Sequence, residues 1–471
     1  FRPEDGFHIR DALWCRQAID FAAGPTHRDV DRAVSLFYYV VRNMDLVGLP
    51  VPVGPFDAML LGKGSAAHRA WVFVELLRQL RLDAVVLVPG NEDPSSTTKL
   101  LVGVLARDGV YLFDPKVGLP IPSAADDGKT IYPTKPATLA EVRSHPELLR
   151  RLDISSQTPY WWQPEDLNEP KVLLVGDSVL WSVRMRLLQR MLTGENFAVV
   201  FDGLDDTLLG PGLFSRVVEF GKKTDGWKAD QVGVWPFPEQ QRQGQAHMTD
   251  AQKAAYRALQ ESLMVPTPLM QVQRTEDENG RPTLQMQFGA PEKIHLSKRI
   301  DQLLGKYADA IQGYLLIRLW KQMPPPRERM YVPDEVKPLI VQNIPERVQR
   351  PHRKAAEEAF YRIAVCQYEL GDFPRAADTL KAFLDEYKQS DLLNSAKFLL
   401  ASCYAALGQN DQAVATLKLI ERDSPFRMAA IFLLRRWSKF AEAKKDRPAA
   451  TENKQEKAAT EKPSAKGDAS E

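Results

Sequence analysis

Residues 364–383, AVCQYELGDFPRAADTLKAF, and residues 401–420, ASCYAALGQNDQAVATLKLI, are two copies of one pattern at a shift of 37 residues. Ala364 matches Ala401, Cys366 matches Cys403, Gly371 matches Gly408, Ala376 matches Ala413 and Leu380 matches Leu417. Each copy predicts an apolar helix, a glycine turn and a second apolar helix. Glycine suits the turn because closing a helix there calls for a positive φ. The alanines suit the helix crossings, where a larger side chain would push the helices apart.

Working outward, Gly305, Tyr307, Ala310 and Tyr314 reproduce the spacing of Gly371, Phe373, Ala376 and Leu380, which suggests a third, weaker copy. A single amphipathic helix over 296–322 fits the same residues. Proline-rich residues 323–338 read as an inserted linker. Residues 428–440 read as a capping helix that covers the last apolar face. Residues 441–471 are Ala, Lys, Glu and Ser with almost nothing to bury, and are expected to be disordered. The register of small and large positions over 353–438 resembles the tetratricopeptide repeat, in the slightly lengthened form found in bacterial envelope proteins. The resemblance implies a helical array whose concave face takes a protein or peptide partner. Cys366 and Cys403 read as small core residues rather than a redox or metal pair.

Composition narrows the rest. Lys and Arg number 62 against 61 Asp and Glu, so no basic excess argues for a nucleic-acid partner. Three cysteines allow neither a disulfide framework nor a paired metal spacing. No apolar run reaches the length of a membrane span. No cofactor and no metal are expected. The chain begins at Phe1, which reads as a processed or trimmed product, and an extracytoplasmic setting (periplasmic or envelope) is favoured.

The first 150 residues read as helices followed by strands. Residues 31–43 and 63–79 carry helical periodicity, the second opened by Gly62-Lys63-Gly64-Ser65 with Ser65 as N-cap. Strands are expected at 84–88, 100–105 and 110–113, with a hairpin turn at 106–109. Gly62, Gly64, Ala70, Leu76, Leu77 and Arg78, followed by Tyr111-Leu112-Phe113-Asp114-Pro115, resemble the core of the transglutaminase-like superfamily, which shares its fold with papain-type enzymes. The resemblance covers about residues 30–122. It implies a nucleophilic Cys at the position of Ala66, a His near Lys99 or Leu100, and an Asp at Asp114. Only Asp114 is present, so the triad positions Ala66, Lys99 and Asp114 describe a pseudoenzyme. A thiolate needs its imidazole, and losing either removes nearly all covalent catalysis. Two substitutes stay open: Ser65 with His68, and Ser65 with Lys99. Cys15 reads as a packed core residue. At the vacated site a salt bridge between Lys99 and Asp114 is expected.

In the middle segment, strands are expected at 171–175, 197–202 and 231–235, with a helix over 180–192 and a hairpin of 269–274 and 283–288 around Asn279-Gly280. Gly176-Asp177-Ser178 resembles the nucleophile block of the SGNH esterases, but no Asp-x-x-His follows it. A strand-to-helix turn capped by Asp177 or Ser178 is the structural alternative. GxxxxGK(S/T), GxGxxG and HExxH are all absent.

The expectation is therefore an α+β multidomain chain. It has a papain/transglutaminase-like domain at 1–150, a small α/β segment with a hairpin at 151–294, an all-α repeat array at 295–440 and a tail at 441–471. Its function reads as a non-catalytic protein–protein interaction scaffold in a bacterial envelope assembly. The alternative is a hydrolase or transferase of the transglutaminase-like or SGNH type, using Ser65 or Ser178.

Overall fold

Small residues decide where the main helix meets the sheet. The helix Ala66–Gln79 places Ala67 and Ala70 fully inside, and Trp71, Phe73, Leu76 and Leu77 fill the space around them. Phe73 meets Phe113 and Phe37 edge-on at 5.2 and 5.3 Å, locking this helix to the strand Gly109–Asp114 and the helix Asp29–Asn43. The computed structural model describes residues 1–95, 98–192, 197–206, 210–267, 270–276, 282–288, 292–322, 334 and 345–445.

One six-stranded sheet runs in the order Leu119–Pro120, Gly109–Asp114, Leu101–Ala106, Ala84–Val88, Lys171–Leu174, Val232–Val234. Neighbours are antiparallel except the last pair, which is parallel. Arg107 and Asp108 form the expected hairpin turn between paired Ala106 and Gly109. Ala84–Val88 is buried at every residue, the pattern of a central strand covered on both faces.

The middle segment differs from expectation. Lys171–Leu174 pairs with Ala84–Val88, Val86 opposite Leu173, so residues 151–294 extend the N-terminal sheet instead of forming a separate α/β unit. The division drawn at residue 150 runs through one sheet. Residues 197–202 are not a strand. Their backbone is satisfied by side-chain amides: Gln79 both donates to Val199 O and accepts from Val199 N (3.0 and 2.8 Å), and Gln189 does the same for Ala198 O and Val200 N (3.0 and 2.8 Å). An apolar run supplied with such partners has no need of a neighbouring strand. The helix here is shorter than expected, Val183–Met191. The hairpin pairs Met270–Glu276 with Pro282–Phe288, while its turn at Asn279-Gly280 lies outside the described residues.

The C-terminal part is helical. Ile294–Leu303 and Tyr307–Arg318 are two helices, so the weaker copy is a helix pair and not a single helix. Glu346–Glu369 with Phe373–Glu386 and Leu393–Ala406 with Asn410–Lys418 follow, then Arg427–Lys445. The three turns share one geometry. Gly305, Gly371 and Gly408 have φ of 75°, 76° and 70°. Behind each, an amide reaches five residues back: Lys306 to Asp301, Asp372 to Gln367 and Gln409 to Tyr404 (2.9, 2.9 and 2.8 Å). That is the bonding of a glycine-terminated helix. Ala364, Ala376, Leu380, Ala401 and Ala413 are fully buried and Leu417 nearly so, as their crossing positions require. The last helix runs to Lys445, past the boundary expected at 440, and residues 446–471 lie outside the described residues, as does the linker at 323–338 apart from Asp334. Among the described residues no helix is long and apolar enough to cross a membrane.

Candidate functional site

The turn where a nucleophile would stand is built by two glycines. Gly62 ends the helix Pro55–Leu61 at φ 68°, and Lys63-Gly64 pairs in parallel with Asp45-Leu46. Ser65 then caps the next helix, whose first residue is Ala66, buried to 8% exposure. His68 completes a capping box. Its amide donates to Ser65 Oγ (3.4 Å), and its Nδ1 accepts from the Ser65 amide (3.2 Å). Ser65 Oγ lies 2.8 Å from the same nitrogen. Accepting the amide assigns the ring proton to Nε2 and makes the hydroxyl a second donor to Nδ1. Burial pushes the His68 imidazole down to about 4. A base that weak is poorly matched to removing a hydroxyl proton.

Asp114 closes the strand Gly109–Asp114 in full burial. Its Oδ1 accepts from the amides of Lys116 and Val117 (2.7 and 2.8 Å), shaping the Asp-Pro turn, and its Oδ2 accepts from the Tyr160 hydroxyl at 2.6 Å. Burial pushes this carboxyl up to about 6 against the pull of those bonds. The expected salt bridge to Lys99 is not formed. Lys99 pairs instead with partly buried Asp166 at 2.8 Å. Arg69, three residues after Ala66, donates to Pro115 O (3.1 Å) and Met44 O (3.0 Å), and so ties the helix start to the Asp-Pro turn. The structure therefore joins the Ala66 helix to the Asp114 turn and draws Lys99 away. Sequence reasoning missed Arg69 and Tyr160; the aromatic run Tyr160-Trp161-Trp162 was the available signal.

At the second serine, the Ser178 amide and hydroxyl both donate to Glu239 (2.7 and 3.0 Å). Asp177 Oδ1 accepts from the amides of Val179 and Leu180 (3.1 and 2.9 Å), the bonding of a capped turn. Asp177 Oδ2 meets Arg242 at 2.9 Å, and Arg242 also meets Asp11 at 3.0 Å, all three deeply buried. Arg10 then bridges Asp11 and Asp57 (2.9 and 3.0 Å). Nothing in the local sequence announced this network. Among the described residues, no three His, Cys, Asp or Glu side chains are grouped to hold a metal. Cys15, Cys366 and Cys403 are buried and free, and burial pushes Cys366 and Cys403 each up to about 12.

The first helices of the array do not face open solvent along their length. Glu369 pairs with Arg42 (3.2 Å to Nη2), Ser395 donates to Asp45 (2.9 Å) and Ser402 meets the Tyr132 hydroxyl. Further on, Arg436 grips Asp126 (2.6 and 3.0 Å), and Trp437 donates to Ile131 O (2.9 Å). One apolar cluster runs from the sheet domain through Ala401, Ala405 and Leu433 to Trp437. Part of the array is thus covered by the chain's own N-terminal domain. One open cleft, of about 380 Å³, lies where Glu346–Glu369 passes the Gly62 turn; its lining mixes cations, among them Lys63, Lys354 and Arg362, with carboxylates, among them Asp45 and Glu358.

The tetratricopeptide repeat family model matches residues 358–390 and 395–425. No curated protein and no solved structure matches the chain. The helices within residues 358–425 are therefore tetratricopeptide repeats, a module that supports a protein–protein interaction role. The match does not extend to the N-terminal domain.

Proposed function

We propose that the chain is a non-catalytic interaction scaffold in which a degenerate transglutaminase-like domain and a tetratricopeptide array form one platform in a bacterial envelope assembly. The observation that carries this reading is the commitment of the would-be catalytic groups to structural bonds. Ser65 and His68 cap a helix, Asp114 holds the Asp-Pro turn and Tyr160, and Lys99 pairs with Asp166. The order of Gly-rich turn, helix and Asp-Pro strand supports the transglutaminase-like part, with Ala66 where the thiol would be. The array supports the interaction part, with the sheet domain serving as a wall and not as a catalyst.

One distance favours the rival reading. Ser65 Oγ is 2.8 Å from His68 Nδ1, within reach for proton transfer. Against it stand the weak base and the amide already bound to that nitrogen. The test is an amine-incorporation, peptidase and ester-hydrolysis assay on the purified chain, with fluorophosphonate labelling. The scaffold reading expects no turnover and no labelled serine. Turnover lost in Ser65→Ala or Ser178→Ala would make the protein an enzyme.

A further inference from the structure

The open cleft has a guanidinium at its base. Arg362 lies under Gly62, so that a Cβ at Gly62 would come within 3.0 Å of Arg362 Nη2 and 3.3 Å of Arg299 Nη2. Two arginines thus approach the same point. Arg299 is wholly buried and donates to neutral acceptors only: Asn43 O and Oδ1, Met59 O and Leu60 O, at 2.6–3.2 Å. Burial, with the charge of Arg362 added, pushes Arg299 down to about 9. Among the described residues Arg362 makes no ion pair, and its Nε is buried without an acceptor.

Two carboxylates face Arg362, and both have other partners. Asp45 accepts from Ser395 at 2.9 Å, and Glu358 accepts from Ser262 at 2.7 Å. Lys63 and Lys354 stand on the cleft wall. We infer that this cleft is an oxyanion-binding site in which Arg362 is the direct ligand, taking a carboxylate or a phosphate. A guanidinium offers paired N–H donors that fit such groups, and a bound anion would offset the repulsion between Arg299 and Arg362. Glu346, Glu357 and Asp391 also line the cleft, so a single compact anionic group suits it better than an extended polyanion. The glycine at 62 leaves room for the approach, since any side chain there would occupy the space over Arg362.

The inference stands apart from the scaffold reading and holds for an enzyme as well. The full chain is melted in sodium phosphate, in a Gly-Glu-Gly peptide with both ends blocked and one free carboxylate, and in sodium chloride at matched ionic strength. Phosphate or peptide should raise Tm at least about 2 °C above chloride at saturation. A rise with phosphate alone indicates a free phosphate ligand; a rise with the peptide alone indicates a protein carboxylate. Arg362→Met should abolish the rise; without ligand it loses both the like-charge contact with Arg299 and the cation facing Asp45 and Glu358, so the ligand-induced shift is the readout. The double variant Lys63→Ser, Lys354→Ser should fold normally and bind several-fold more weakly. No rise beyond chloride in either arm would overturn the proposal. So would a rise that survives Arg362→Met.

Discussion

The repeat array and the sheet domain bury polar groups in opposite ways. Within the matched repeats, ion pairs such as Arg375–Asp372 and Lys381–Asp378 lie between near neighbours on the surface, and the apolar cluster between the helices is Ala, Val, Leu, Phe and Cys. In the sheet domain, Arg242 is sealed between Asp11 and Asp177, and Arg78 sits buried beside Glu75 and Asp202. A surface pair three residues apart adds a few tenths of a kcal/mol at most. A buried charge severed from its partner costs several. The array is therefore held by packing that repeats, and the sheet domain by matches that each occur once.

The largest effect expected from this contrast is at Arg242. Arg242→Met should cost about 3–5 kcal/mol in chemical denaturation, because it leaves Asp11 and Asp177 buried without their shared cation. A loss below about 1 kcal/mol would mean that the network is incidental to the domain.

Next comes acid. His68 is held near 4, below its ordinary value of 6.5, so its neutral form belongs to the folded state. The stability it contributes is complete above 6.5 and lost as pH falls from 6.5 towards 4. Asp114, raised from 3.8 to about 6, acts in the opposite sense, gaining stability over an overlapping window as pH falls. The readout must therefore be variant minus wild type, where Asp114 cancels. His68→Gln keeps an acceptor for the Ser65 amide and should be more favourable relative to wild type at pH 4 than at pH 7, by about 2–3 kcal/mol. An unchanged difference across that range would show that His68 does not titrate as described.

In the array, Ala401→Leu should overpack a fully buried crossing and cost about 1–3 kcal/mol. A neutral result by thermal melting would separate residue 401 from the helix contact. The smallest effect is at Gly371. A Cβ there meets nothing within 4 Å, so Gly371→Ala tests the positive φ alone and should cost about 1 kcal/mol. A larger loss would point to a contact made in the turn.

This difference between the halves also governs what could be read from the chain. Ala364, Gly371 and Ala401 announce themselves because packing within a repeat is local and recurs in register. The cap at Ser65 and the hairpin at residues 106–109 were legible for the same reason, since neighbours in sequence build them. Residues 197–202 looked like a strand because nothing nearby shows that Gln79 and Gln189 would satisfy their backbone. Lys99 looked like a partner for Asp114 because alignment by spacing cannot show that Asp166 lies within its reach. The docking of the array on the sheet domain was invisible for the same cause: its contacts join positions hundreds of residues apart.

The grip of Arg436 on Asp126 spans 310 residues. During synthesis the sheet domain leaves the ribosome long before the helix that covers it. The last strand of the sheet, Val232–Val234, precedes Arg436 by about 200 residues, an interval of roughly 10–40 s at ordinary elongation rates. For that time the apolar surface destined for the array is uncovered, so yield should depend on translation speed and on chaperones that shield the nascent chain.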